Sequence, residues 1–149
     1  MSDHTEMSAA LTRVLGNSYV LYVKTHSYHW NVTGPNFHSL HTMFEEQYRD
    51  IWASLDDIAE RIRALGAFAP VSSRVMAETA NIEEADNDVP SAQVMLQNLV
   101  EDHSRWLKDA ESALDEASEN GDTGTEDLLA PLISAHEKMR WMLKSSLGD

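Results

Sequence analysis

The sequence predicts an all-α protein, a bundle of four long helices with a short extra helix in the long crossover between the second and third. Apolar residues recur at spacings of three and four over long segments, which is helical periodicity. The segments are separated by strong breakers, Gly34-Pro35, Gly66, Pro90 and Asn120-Gly121. No strand-like alternation, internal repeat or low-complexity run competes with that pattern. The chain of 149 residues, 42% hydrophobic and 24% charged with only 6 Gly and 4 Pro, is sized for one globular domain over 1–149.

The first helix runs from about Met7, with Leu11, Val14, Leu15, Leu21, Tyr22, Tyr28 and Val32 in register. It ends at Thr33-Gly34-Pro35-Asn36, where Gly takes a left-handed conformation and Pro cannot continue the ladder. The second extends without a breaker from about Phe37 to Leu65, and Gly66 stands in the C-terminal cap position. Between Gly66 and Pro90 the pattern weakens, but Ser72-Ser73 before Arg74-Val75-Met76 caps a short helix. The third long helix begins at Ser91 and carries Val94, Leu96, Leu99, Val100, Trp106, Leu107 and Leu114 up to Asn120-Gly121. Thr123 with Glu126 three residues on suggests a capping box for the fourth, which reaches about Ser146 with Pro131 expected to kink it. Met76, Met95, Met139 and Met142 are expected to fill the core.

Composition excludes several functions. With no Cys there are no disulfides, thiolate sites or thiol catalysis, so redox chemistry would need a metal. The formal net charge of −14 opposes phosphate backbones, and otherwise fits solubility or cation handling. No secretory signal pattern and no apolar run long enough for a membrane span is visible, which gives a cytoplasmic expectation.

The segment His29–Glu60 gathers His29, His41, Glu45, Asp56 and Glu60 among large apolar side chains. Imidazole plus carboxylate suits iron, manganese or zinc, and our expectation is an iron site. At 100° per residue, with His41 at zero, Glu45 falls at about 40°, Asp56 at about 60° and Glu60 at about 100°, all on one arc. Along the axis, however, His41 and Asp56 are about 22 Å apart, far beyond a shared ligand shell. One helix therefore carries two half-sites. A two-fold axis near Asp50 and Ile51, with two copies antiparallel, would bring His41 and Glu45 of one chain to Asp56 and Glu60 of the other. His29 would fold back to join them from the end of the first helix. The alternative is a solvated carboxylate face with histidines satisfying backbone groups. His26 and His38, three residues before His29 and His41, are candidate outer ligands, with a surface role the simpler account for each. No Glu-x-x-His pair is present, which also favours a site between subunits.

These motifs, YHWNVTGPNFHSLHTMFEEQY followed by LDDIAERIRALG, resemble the Dps family of ferritin-like mini-ferritins over nearly the whole chain. The joint spacing His-Trp, Phe-x-x-x-His-x-x-x-acid and Asp-x-x-x-Glu-Arg carries the likeness. The resemblance implies a hollow dodecamer built from two-fold dimers that oxidises Fe(II), usually with hydrogen peroxide, and stores Fe(III) mineral. It implies ferroxidase ligands at His29, His41, Asp56 and Glu60, with Glu45 where many members have Asp, and with zinc or other divalent ions able to substitute for iron. Trp30 matches a tryptophan near that centre, read as shielding, radical capture or packing, and Trp52 is an interface anchor near the two-fold axis. In the family the loop between the third and fourth helices lines a three-fold pore. Asp122, Glu126 and Asp127 are the corresponding iron-attracting candidates, Asp127 preferred, with helix capping the alternative for Asp122 and Glu126. Glu46 is a candidate for mineral nucleation. Some relatives bind DNA through a lysine-rich tail, whereas the first basic residue here is Arg13 and the chain ends Leu147-Gly148-Asp149, so duplex binding is expected to be negligible. Competing expectations are a non-enzymatic nucleoid or surface scaffold, and a protein that sequesters a divalent ion without turnover.

Overall fold

A computed structural model describes residues 4–148, which form α1 (His4–Asn31), α2 (Phe37–Ala64), α3 (Ser73–Thr79), α4 (Ala92–Glu119) and α5 (Thr123–Ser146). Side-chain hydrogen bonds fix how the four long helices run. His29 meets His41 and the Tyr22 ring lies against Tyr48 across α1 and α2, while Tyr28 meets Asn98 and Asn17 meets Asp109 across α1 and α4. In both pairs residue numbers rise on one helix as they fall on the other, so α1 is antiparallel to α2 and to α4. That makes α2 and α4 parallel, which a short turn cannot achieve. Residues 65–91 supply the crossover, with α3 packed on α1. Gln47 to Met139 and Arg61 to Thr125 set α5 antiparallel to α2 and close the bundle.

Four helix ends explain why these segments start and stop where they do. After α2, Gly66 takes φ +100°, and the Ala67 and Gly66 amides return to the Ile62 and Arg63 carbonyls. This satisfies two of the carbonyls that a helix end leaves without partners. Ser91 caps α4, and Ser72 caps α3, each hydroxyl accepting the amide three residues on. At the start of α5 the capping residue is Asp122 rather than the expected Thr123. Its carboxylate accepts the Thr125 amide, while a bond from Arg61 holds it in place. α5 runs unbroken through Pro131.

The core is apolar in the expected register, with Leu11, Val14, Leu15, Phe44, Ile51, Ile58, Met95, Leu99 and Leu129 fully buried. Each such side chain contributes on the order of 1.5–3 kcal/mol by leaving water. Met95 and Met139 are core residues, and Met76 and Met142 are half-buried. Several polar groups lie inside and are paired. Lys24 Nζ donates to Asp102 at 2.8 Å, and Trp106 donates to Ser18 at 2.8 Å. Where the crossover returns, Asn17 accepts the Asn81 amide, and the Asn17 and Asn81 side chains both donate to Asp109.

Candidate metal centre

The α1–α2 turn brings the end of one helix against the start of the next, and His29 and His41 meet there. Each imidazole bonds to the backbone of the other residue: His29 Nδ1 to the His41 carbonyl and His41 Nδ1 to the His29 carbonyl, both at 2.7 Å. A carbonyl oxygen can only accept, so each Nδ1 carries the proton and donates. In the neutral rings both Nε2 lone pairs are therefore left for another partner, the arrangement that orients histidines towards a metal. The rings stack at 3.8 Å, and Phe37 lies over His41 at 5.0 Å, so the pair has little rotational freedom.

Glu45, one turn after His41, places Oε1 at 3.9 Å from His29 Nε2. Its other oxygen accepts from Arg49 Nε at 3.1 Å. Arg49 was not anticipated from the motif, although its place four residues after Glu45 is the spacing at which helical ion pairs form. Glu46 is exposed beside it.

Asp56 and Glu60 lie farther along α2, both exposed. The charge of Asp56, then a hydrogen bond with it, pushes the Glu60 carboxyl above its ordinary range, so these carboxyls compete for one counter-charge. A proton or a cation relieves that repulsion. Trp52 stands between the two half-sites and is 60% exposed, with Trp30 65% exposed at the far end of the same region. Among the described residues of a single chain, no three His, Asp or Glu side chains are grouped closely enough to hold a metal ion. The structure thus pairs His29 with His41, sets Glu45 beside His29, and places Asp56 beside Glu60 farther along α2.

The remaining candidates fall elsewhere. His38 is exposed. His26 is not a surface group: it stacks on Tyr48 at 3.8 Å and bonds with Tyr22, and burial, then the nearby His29, lowers its pKa. Asp122 is engaged by Arg61 at 2.7 Å and by Thr125, and these bonds hold its carboxyl below the usual range against the opposing effect of burial. Its carboxylate caps α5 and ties that helix to α2 through Arg61. Glu126, on the first turn of α5, is half-buried, and Asp127, the next residue, is exposed.

A family model described as the ferritin-like domain matches residues 8–149. The DNA protection during starvation protein of Brevibacillus brevis is 36% identical over 141 residues, covering 95% of this chain and 94% of that one. The crystal structure of Dps from Staphylococcus aureus superposes with a TM-score of 0.94 at 34% identity, covering 100% of this chain and 99% of that one. The chain belongs to the Dps family of ferritin-like proteins. A Dps protein of Vibrio cholerae O1, described as a member of the ferritin-like diiron-carboxylate superfamily, superposes at 0.91 with 36% identity, over 97% of this chain and 90% of that one. Against this Dps fold, one unanticipated group is the His103–His136 pair, fully buried between α4 and α5 with Nδ1 atoms 3.0 Å apart and the Trp106 ring stacked on His136 at 3.5 Å. Their sequence signal is slight, since each histidine occupies an apolar register position on a different helix.

Proposed function

We propose that the protein is a ferroxidase and iron-storage mini-ferritin that oxidises Fe(II), preferably with hydrogen peroxide, at di-iron sites shared between two subunits. The product Fe(III) accumulates as mineral inside a dodecamer of two-fold dimers, in the cytoplasm, without appreciable DNA binding. The observation that carries this is the reciprocal bonding of His29 and His41. It leaves both Nε2 atoms without a backbone partner, that of His29 3.9 Å from Glu45 Oε1, nitrogen and oxygen donors that suit ferrous iron and that a second subunit would complete.

Iron enters as substrate. His29, His41 and Glu45 of one subunit and Asp56 and Glu60 of the next supply neutral nitrogen and anionic oxygen, so added positive charge is neutralised while the ion stays exchangeable. Two ferrous ions each give one electron to peroxide, whose O–O bond breaks to leave two hydroxides, consuming both reagents of hydroxyl-radical formation. The exposed Asp127, near the start of α5, would attract incoming cations, with Glu126 beside it. Asp122, held by Arg61, would shape that loop. The DNA protection during starvation for which the Brevibacillus brevis relative is named is consistent with this activity.

Anaerobic loading with Fe(II) followed by a stoichiometric peroxide pulse tests the function by iron absorbance. Oxidation should be fast, consume about one peroxide per two ions, and slow by at least tenfold in a His41→Ala/Asp56→Ala variant, the loss expected when ligands are removed. Equal rates in the variant and the native protein would exclude it.

A further inference from the structure

Where the crossover rejoins the bundle, residues of α1, of α4 and of the segment 83–90 enclose a cleft of about 390 Å³. That size falls at the small end of ligand sites, about 300–1,000 Å³. Three of its lining groups are buried: Lys24 is 7% exposed, and Tyr28 and Asp102 are 3% exposed each. Glu83, Glu84, Asp86 and Asp88 on the crossover and Glu101 on α4 stand exposed around them. The cleft is separate from the candidate iron centre. The Tyr28 hydroxyl turns to Asn98 on α4, whereas the neighbouring His29 turns to His41 on α2.

The buried groups offer more hydrogen-bond donors than the protein meets. An ammonium carries three N–H donors, and Asp102 is the one side-chain acceptor of Lys24 Nζ among the described residues. The Tyr28 hydroxyl accepts from Asn98, and its own O–H meets no acceptor among those residues. Arg105 reaches the second Asp102 oxygen with one Nη at 3.5 Å, which leaves its other donors for a further partner. Lys24, Arg105 and Asp102 together carry one net positive charge, and donors buried without acceptors are costly. A carboxylate answers both conditions. The mouth has the opposite sign, since the segment 83–88 bears four acidic residues and no basic one, and so suits an ammonium. Val89, Pro90 and Val94 add an apolar wall beside the two charged ends. Solubility alone explains an acidic segment, but it does not require a buried ammonium and phenol with spare donors in the same cleft.

We propose that this cleft binds a free aliphatic α-amino acid as its zwitterion. The α-carboxylate takes hydrogen bonds from Lys24, Tyr28 and Arg105, the α-ammonium is held by Glu84, Asp86 and Asp88, and the side chain lies against Val89, Pro90 and Val94. A carboxylate without an ammonium is repelled by the acidic mouth. An amine without a carboxylate leaves the Lys24 and Tyr28 donors unmet. Selectivity therefore comes from the two charges together, each unsuitable ligand being rejected by the end it fails to match.

Calorimetry on the assembled, iron-free protein tests this with three probes: L-leucine, 3-methylbutylamine, which lacks the carboxylate, and 4-methylpentanoate, which lacks the ammonium. L-Leucine should bind at least tenfold more tightly than either, as expected of a site whose buried polar groups a truncated ligand leaves unpaired. Tyr28→Phe should weaken L-leucine about tenfold and leave the amine unchanged. Asp86→Asn/Asp88→Asn, altered only on the exposed segment, should weaken L-leucine at least fivefold while binding 4-methylpentanoate more tightly than the native protein does. No binding of L-leucine at millimolar concentration would overturn the proposal. Equal affinity for L-leucine and the amine would also overturn it, by showing a site for cations alone. With no iron present, neither result depends on the iron oxidation above.

Discussion

His103 and His136 are the residues whose chemistry depends most on burial. Desolvation lowers His103 to about 3 and His136 well below its ordinary value. The unfolded chain therefore takes up protons below about pH 6.5 that the native chain refuses. Stability contributed by keeping these rings neutral is complete above pH 6.5 and lost as the pH falls towards 3, by up to about 1.4 kcal/mol per pH unit for each ring. Denaturant midpoints measured from pH 7 to pH 4 at fixed protein concentration should fall, and fall less steeply in a His103→Leu/His136→Phe variant. A second test concerns Asp102, which burial pushes upward in pKa while Lys24 opposes that shift. Removing the carboxylate in Asp102→Ala leaves Lys24 buried and alone, and should cost about 3–5 kcal/mol in thermal or denaturant unfolding. Neither pair was legible in the sequence. Lys24, His103 and His136 sit in helical register with apolar neighbours, and only the juxtaposition of α1 with α4 and α4 with α5 supplies their partners.

At the scale of elements, close approach of α3 to α1 depends on one missing methyl. A Cβ on Gly16 would meet the Thr79 hydroxyl and stand 2.7 Å from the Met76 carbonyl oxygen. Because that oxygen belongs to the backbone, Gly16→Ala should displace α3 and cost about 1–3 kcal/mol, seen as a lower melting temperature and faster proteolysis within residues 65–91. The helices themselves were readable: periodicity and the Gly34, Gly66 and Gly121 breakers placed all five, with α1 beginning a turn earlier, at His4, than its apolar pattern suggests. For the cap of α5 the sequence offers both Thr123, through the local motif with Glu126, and Asp122. The deciding contact, Arg61 on Asp122, comes from 61 residues away. His29, His41 and Glu45 were also legible as neighbours, since a turn of a few residues forces the helix ends together. Their mutual hydrogen bonds were not, because bonding to the partner's carbonyl depends on how closely the two backbones approach.

For the whole molecule, one helix face carries both half-sites, exposed Trp52 and exposed carboxylates, a combination that is costly on a lone chain and ordinary in an isologous interface. Trp52→Ala should weaken subunit association, shifting the dissociation midpoint to at least tenfold higher protein concentration in analytical ultracentrifugation. The formal charge of −14 works against a nucleic-acid partner. No mobility shift of duplex DNA is expected at low micromolar protein and physiological salt.

If each iron site takes ligands from two subunits, two inactive variants should restore activity to each other on mixing. His41→Ala and Asp56→Ala proteins are dissociated together, reassembled, and assayed with Fe(II) and peroxide. Random pairing makes half of the dimers mixed, and each mixed dimer holds one intact site, so about a quarter of native activity should return. Activity no greater than that of either variant alone, in a mixture that light scattering shows to be fully reassembled, would contradict the shared site.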